Sequence, residues 1–170
     1  MANVQGRFRR DGSDTKSVVR HDGGTSRDDG EGRVCGPAGG GGRDGVHLGQ
    51  KDLPCREARR ILGRHAIIGV SAALPDEAAQ AEADGADYLG VGAVFSTSTK
   101  SDTRHVTPEI IRQIRAAATI PFVVIGGVNK ENILSLKGLG INGAAVVSAV
   151  AAQKDITAAA REMRAAAAQL

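Results

Sequence analysis

The chain has no tryptophan, one tyrosine and three phenylalanines in 170 residues, so aromatic side chains make up 2% of it. Proteins that hold single-stranded nucleic acid use flat rings as platforms for the bases, and this sequence scarcely supplies them. The basic balance does not restore that reading. The formal net charge is +3, but in the amino-terminal quarter, where charge is densest, Arg and Asp are interleaved rather than gathered in one patch. No nucleic-acid partner is therefore expected.

Cysteine is equally scarce. Cys35 and Cys55 stand alone, with no CxxC pair and no His at ligand spacing, which excludes a zinc framework or a disulfide scaffold and fits a reducing compartment. No run approaches the roughly 18 apolar residues of a membrane span. The amino-terminal arginines are not followed by the apolar core of a secretory signal. The expectation is a soluble, cytoplasmic protein.

Leu and Ile are absent from residues 1–47 and recur from Leu48 onward. The first segment is rich in Arg, Asp and Gly (GRFRRDGSD, RHDGGTSRDDGEGR, CGPAGGGGRD), and it cannot bury enough apolar surface to offset the entropy of ordering. Residues 1–43 thus read as a low-complexity, disordered segment ahead of a folded domain at 44–170.

In that domain short apolar runs alternate with helical patterns. Val46–Gln50, Ile67–Ser71, Tyr88–Phe95, Phe122–Gly127 and Ala144–Val150 read as buried parallel strands. Cys55–Leu62, Pro75–Ala83, Pro108–Ala118, Glu131–Lys137 and Ile156–Gln169 repeat apolar residues at three and four, the mark of amphipathic helices. Pro54, Pro75 and the Thr107-Pro108-Glu109 triplet announce helix starts, and Gly63, Gly85, Gly138 and Gly140 fall at helix ends. Five βα units of about 25 residues each match the repeat of a (β/α)8 TIM barrel. An open doubly wound sheet is the alternative.

Polar residues at the strand ends favour the barrel, whose chemistry gathers on the carboxyl rim. Those ends carry Gln50-Lys51-Asp52, Ser71, the hydroxyl-rich run Thr97-Ser-Thr-Lys100, Gly126-Gly127 and Ser148. Hydroxyl donors beside a lysine suit a phosphate or diphosphate. A glycine pair lets backbone N–H groups approach an oxyanion, and Val147-Ser148 precedes a turn with amides to offer. His47 reads as a strand residue, and His21, His65 and His105 as exposed. No Ser/His/Asp or Cys/His arrangement is visible.

Taken in order, Asp44-Gly-Val-His-Leu-Gly-Gln-Lys-Asp52, Ile68-Gly-Val-Ser71, Gly85-Ala-Asp-Tyr-Leu-Gly-Val-Gly92, Phe95-Ser-Thr-Ser-Thr-Lys100, Ile125-Gly-Gly127 and Val146-Val-Ser-Ala149 resemble the thiamine-phosphate synthases. The resemblance runs from about Asp44 to the carboxyl terminus and implies strands 4 to 8 of a TIM barrel. It implies the condensation of 4-amino-2-methyl-5-pyrimidinylmethyl diphosphate with 4-methyl-5-(2-phosphoethyl)thiazole, giving thiamine phosphate and diphosphate. By the same resemblance Asp52 matches a Mg²⁺ ligand, Ser71 and Lys100 contact the pyrimidine diphosphate and act catalytically, Thr97, Thr99, Gly127, Val147 and Ser148 contact the thiazole phosphate, and Gly126 is a further substrate-binding residue. A thiazole tautomerase-like relative is the nearest competitor. In that family a histidine stands where this chain has Ala93, which favours the synthase.

The departure lies in the amino-terminal quarter, where the family's first three βα units, with a Gln and a Lys for the pyrimidine diphosphate and a second carboxylate for Mg²⁺, are not recognisable. The abrupt change of composition leads to the expectation that residues 1–43 are foreign to the barrel, as out-of-frame or misassigned coding sequence would be. Five strands alone would leave open edges at Val46 and Ala144, so self-association is expected, with catalysis reduced by orders of magnitude. A non-catalytic half-barrel remnant that binds phosphorylated heterocycles is the second functional reading.

Overall fold

A computed structural model describes residues 45–96 and 104–170. The expectations for residues 1–43 and for Thr97, Thr99 and Lys100 lie outside those residues. The described chain runs β1 (Gly45–Leu48), α1 (Cys55–Leu62), β2 (Ile67–Ala72), α2 (Pro75–Ala83), β3 (Tyr88–Gly92), α3 (Pro108–Ala117), β4 (Phe122–Ile125), a 3-10 turn (Ile133–Leu136), β5 (Gly143–Ala145), α4 (Ser148–Ala151) and α5 (Ile156–Ala167). The five strands form one parallel sheet in the order β1-β2-β3-β4-β5. Strands that add in one direction without a reversal make a singly wound, barrel-type sheet, because a doubly wound sheet must change direction at a switch point.

Register sorts the strand residues onto two faces. Val46, Leu48, Ile68, Val70, Ala72, Leu89, Val91, Phe122, Val124 and Ala144 point to the helices and are all buried. They meet Ala58 of α1, Ala78 and Ala81 of α2, Ile111 and Ile114 of α3 and Met163 and Ala166 of α5 in one apolar core. The opposite face carries His47, Ser71 and Tyr88 with Gly69, Gly90, Gly92 and Gly143. Small residues there leave room above the sheet for polar side chains.

Helix starts follow the sequence chemistry. The Thr107 side chain accepts from the Ile110 N–H ahead of Pro108, and Asp155 caps α5 through the Ala158 N–H at 2.8 Å. Gly63, Gly85, Gly138 and Gly140 all take positive φ at the expected stops. Among the described residues no helix is long and apolar enough to cross a membrane.

Three expectations are corrected. The helix expected at Glu131–Lys137 is a 3-10 turn, Ile133–Leu136. The Asn129 side chain accepts from the N–H groups of Glu131 and Asn132, and left-handed glycines at 138 and 140 close the segment before an α-helix can propagate. The strand expected over Ala144–Val150 ends at Ala145, and Ser148–Ala151 coils into α4. A short run of Ala and Val satisfies a buried strand and a buried helix equally, so sequence alone mistook it. The strand expected over Tyr88–Phe95 stops at Gly92, although the N–H groups of Val94 and Phe95 still donate to Ile125 and Gly126.

Side chains tie the units together at the amino ends of the strands. Arg59 of α1 donates to the carbonyls of Gly63, Ala66 and Gly85 and pairs with Asp87 at 2.6 Å. Glu82 at the end of α2 accepts from the Thr119 hydroxyl and from the N–H groups of Thr119 and Ile120. The Thr119 hydroxyl, with those N–H groups and nearby Arg115, holds the Glu82 carboxyl below its ordinary range. A carboxyl depressed by folding stabilises the fold above its unfolded pKa and loses that contribution as pH falls through the folded value. Glu82→Gln should therefore melt lower than the parent at pH 7, and the gap should close as the pH is taken down through and below the ordinary carboxylate range in paired thermal melts. An equal gap at both pH values would show that the carboxylate charge is irrelevant.

Candidate functional site

Parallel topology fixes where chemistry can collect, since every loop that follows a strand emerges on the same rim. The loop after β1 carries Gln50 and Asp52, Ser71 is the next-to-last residue of β2, the loop after β4 begins with Gly126-Gly127, and the one after β5 ends with Val147, which caps α4 at Ser148. These sequence-predicted residues therefore share the carboxyl rim. Thr97, Thr99 and Lys100 lie outside the described residues.

Asp52 is half-buried in a tight turn. Its Oδ2 accepts the Gly49 N–H at 2.7 Å while its own N–H donates to the Gly49 carbonyl at 3.2 Å. It does not cap α1, whose cap residue is Pro54 without a side-chain hydrogen bond. The turn holds the carboxylate by one oxygen, a rigid mount for an anion at the strand end. Among the described residues no group of three or more His, Cys, Asp or Glu is placed to hold a metal ion.

Ser71 is embedded in a network that the sequence did not announce. His47 Nε2 lies 3.0 Å from Ser71 Oγ, and His47 Nδ1 lies 3.0 Å from the Tyr88 hydroxyl. Gln50 Nε2 donates to the Ser71 carbonyl at 2.5 Å, fastening the loop after β1 to the end of β2. The imidazole lies across Gly90, where a Cβ would meet its Cε1 at 2.8 Å, and the Tyr88 ring lies across Gly69, where a Cβ would fall 2.1 Å from Cζ. Burial pushes the Tyr88 phenol up to about 12. The phenol is therefore protonated across the physiological range. The one signal in the sequence was the shared alternation of His47, Ser71 and Tyr88 within their strands, and only the register put them on one face.

Gly126 and Gly127 both take left-handed φ, 94° and 64°. Consecutive residues of this kind turn the chain sharply where β4 ends, and the turn packs on Ala93, Phe95 and Ser96 of the loop after β3. The Phe95 N–H donates to the Gly126 carbonyl at 3.1 Å, and Asn132 Nδ2 donates to the Gly127 carbonyl at 2.9 Å. With the carbonyls committed to the protein, this turn has the build of an anion-binding nest. Val147 and Ser148 are exposed at the start of α4, where the first amides of a helix have no intrahelical acceptor.

Cys55 does not belong to this rim chemistry. It is buried at the start of α1 with its Sγ 3.7 Å from the Asp84 carbonyl, and burial raises its thiol above the ordinary range, so it is no nucleophile.

The family model for thiamine monophosphate synthase matches residues 38–150 of this chain. The thiamine-phosphate synthase of Clostridium beijerinckii is 49% identical over 120 residues, 71% of this chain and 57% of that protein. The thiamine-phosphate synthase of Ruminiclostridium cellulolyticum is 51% identical over 122 residues, 72% of this chain and 58% of that protein. Among solved structures, thiamine phosphate pyrophosphorylase from Pyrococcus furiosus superposes with a TM-score of 0.67 at 42% identity, covering 74% of this chain and 59% of that one. The chain thus spans a little over half the length of the relatives it matches.

Proposed function

This chain belongs to the thiamine monophosphate synthase family, and from that premise we propose that its carboxyl rim condenses the pyrimidine diphosphate with the thiazole phosphate to give thiamine phosphate. The observation that carries the reading is the double left-handed turn at Gly126-Gly127 on the same rim as Ser71 and Asp52. That arrangement supports one anion at the loop after β4 and another between β1 and β2.

The reaction needs no side-chain nucleophile. The bond between the exocyclic carbon and the diphosphate oxygen breaks, the electron pair leaves with diphosphate, and the ring nitrogen of the thiazole forms the new bond to that carbon. The work left to the protein is to stabilise the departing charge and hold both partners in line. Ser71 donates to the diphosphate and Lys100 neutralises it. Gly127, Val147 and Ser148 offer amides to the thiazole phosphate, with Thr97 and Thr99 beside them. Asp52 would hold Mg²⁺ together with diphosphate oxygens, and the ion when bound offsets negative charge on the leaving group.

The test is turnover of both substrates with Mg²⁺ by the full chain. We expect thiamine phosphate to form, and Lys100→Ala to lower the rate by about 100-fold, as loss of an oxyanion-stabilising group does. A chain that binds the thiazole phosphate but yields no product would favour the half-barrel remnant. One that binds neither the thiazole phosphate nor magnesium pyrophosphate would defeat the reading altogether.

A further inference from the structure

The network under Ser71 is longer than a phosphate contact requires. A serine hydroxyl carries one proton, and its use depends on what its neighbours do. If Ser71 gives that proton to His47 Nε2, nothing remains to donate toward a ligand. If His47 Nε2–H donates to Ser71 Oγ, the serine proton is available to the site. Both tautomers fit the 3.0 Å separations, and among the described residues the group that faces the other ring nitrogen is the Tyr88 hydroxyl.

Tyr88 decides it. Among the described residues, His47 Nδ1 is the one hydrogen-bond partner of the Tyr88 hydroxyl. The Tyr88 phenol lies across the sheet face over Gly69, only partly exposed, with Nδ1 as the acceptor within reach, and Nδ1 is an acceptor only when the ring proton sits on Nε2. Gly69 and Gly90 fix the two rings in place, since a side chain at either would displace one.

We infer that Tyr88 and His47 are positioning residues for Ser71: Tyr88 O–H donates to His47 Nδ1, His47 Nε2–H donates to Ser71 Oγ, and the Ser71 proton is thereby directed at an anionic oxygen of the bound ligand. The inference rests on the diphosphate reading of Ser71 only for the identity of that ligand. The order of donors belongs to the fold itself. Burial that keeps the phenol protonated supports the same direction.

Two measurements on the full chain test it. In long-range ¹H–¹⁵N spectra at pH 7.5, with His47 assigned by the loss of its signals in His47→Gln, wild-type His47 should show a single Nε2–H tautomer, and Tyr88→Phe should mix the two. Titration with inorganic pyrophosphate and Mg²⁺ should show binding weakened about 10-fold by Ser71→Ala and about 5-fold by Tyr88→Phe, while the double variant falls no further than Ser71→Ala alone. A wild-type proton on Nδ1 would overturn the inference whatever pyrophosphate does, as would additive losses in the double variant. A chain that ignores pyrophosphate yet keeps the Nε2–H tautomer only while Tyr88 is present would uphold the donor order and defeat the diphosphate reading.

Discussion

Replacing Gly127 with valine should cost about 4 kcal/mol of folding stability and, on the proposed function, lower affinity for the thiazole phosphate by about 100-fold or more. Two causes add. The residue sits at φ 64°, where an L side chain crowds its own carbonyl and a β-branched one does so more severely. Its Cβ would also fall 2.5 Å from the Ser96 carbonyl oxygen and 2.8 Å from Phe95 Cβ, and the first of these is backbone that cannot swing aside. Relief requires the loop after β3 to part from the loop after β4, breaking the Phe95 N–H to Gly126 bond. The control is Gly138→Ala. Gly138 has a φ of 81° and nothing within 4 Å of a built Cβ, so only the backbone strain remains, about 1 to 2 kcal/mol. Urea denaturation of the three proteins measures both costs, and a Gly127→Val protein within about 0.5 kcal/mol of wild type would disprove the packing account.

The second large effect lies at the opposite end of the sheet. Arg59→Met keeps the aliphatic stem but removes donors to the Gly63, Ala66 and Gly85 carbonyls and the charge beside Asp87. Arg59 and Asp87 side chains are only 21% and 18% exposed, so water restores little of what is lost. Asp87 also accepts the Ile68 N–H at 2.8 Å, which couples the ion pair to the first hydrogen bonds of β2. A loss of about 3 kcal/mol is expected, as for a partly buried pair broken from one side. Arg59→Lys should recover less than half of it, because one ammonium cannot reach carbonyls that a planar fork spans. Ligand affinity on the carboxyl rim should change less than about two-fold, since in this fold stability and chemistry occupy opposite ends. A Lys variant as stable as wild type would refute the fork geometry.

Much of the fold was legible because it rests on local rules. Short apolar runs gave the strands, three-and-four spacing gave the helices, and Pro75, Thr107-Pro108 and the helix-ending glycines marked boundaries that the structure reproduces within a residue or two. Legibility failed where local signals were ambiguous, at the Ala/Val run that becomes β5 and α4 and at Glu131–Lys137, which the Asn129 cap and two left-handed glycines shorten.

The order of motifs along the chain was enough to place it among relatives, because that order is a property of the covalent string. The partnership of His47, Ser71 and Tyr88 was not contained in that string in any readable form. These residues stand 24 and 41 positions from one another along the chain, and they meet only because parallel strands pair in one register. A slip of one residue would turn each side chain to the other face of the sheet. Register is decided by the whole core at once, by Phe122 against Leu89 and Val124 against Val91 as much as by the polar residues themselves.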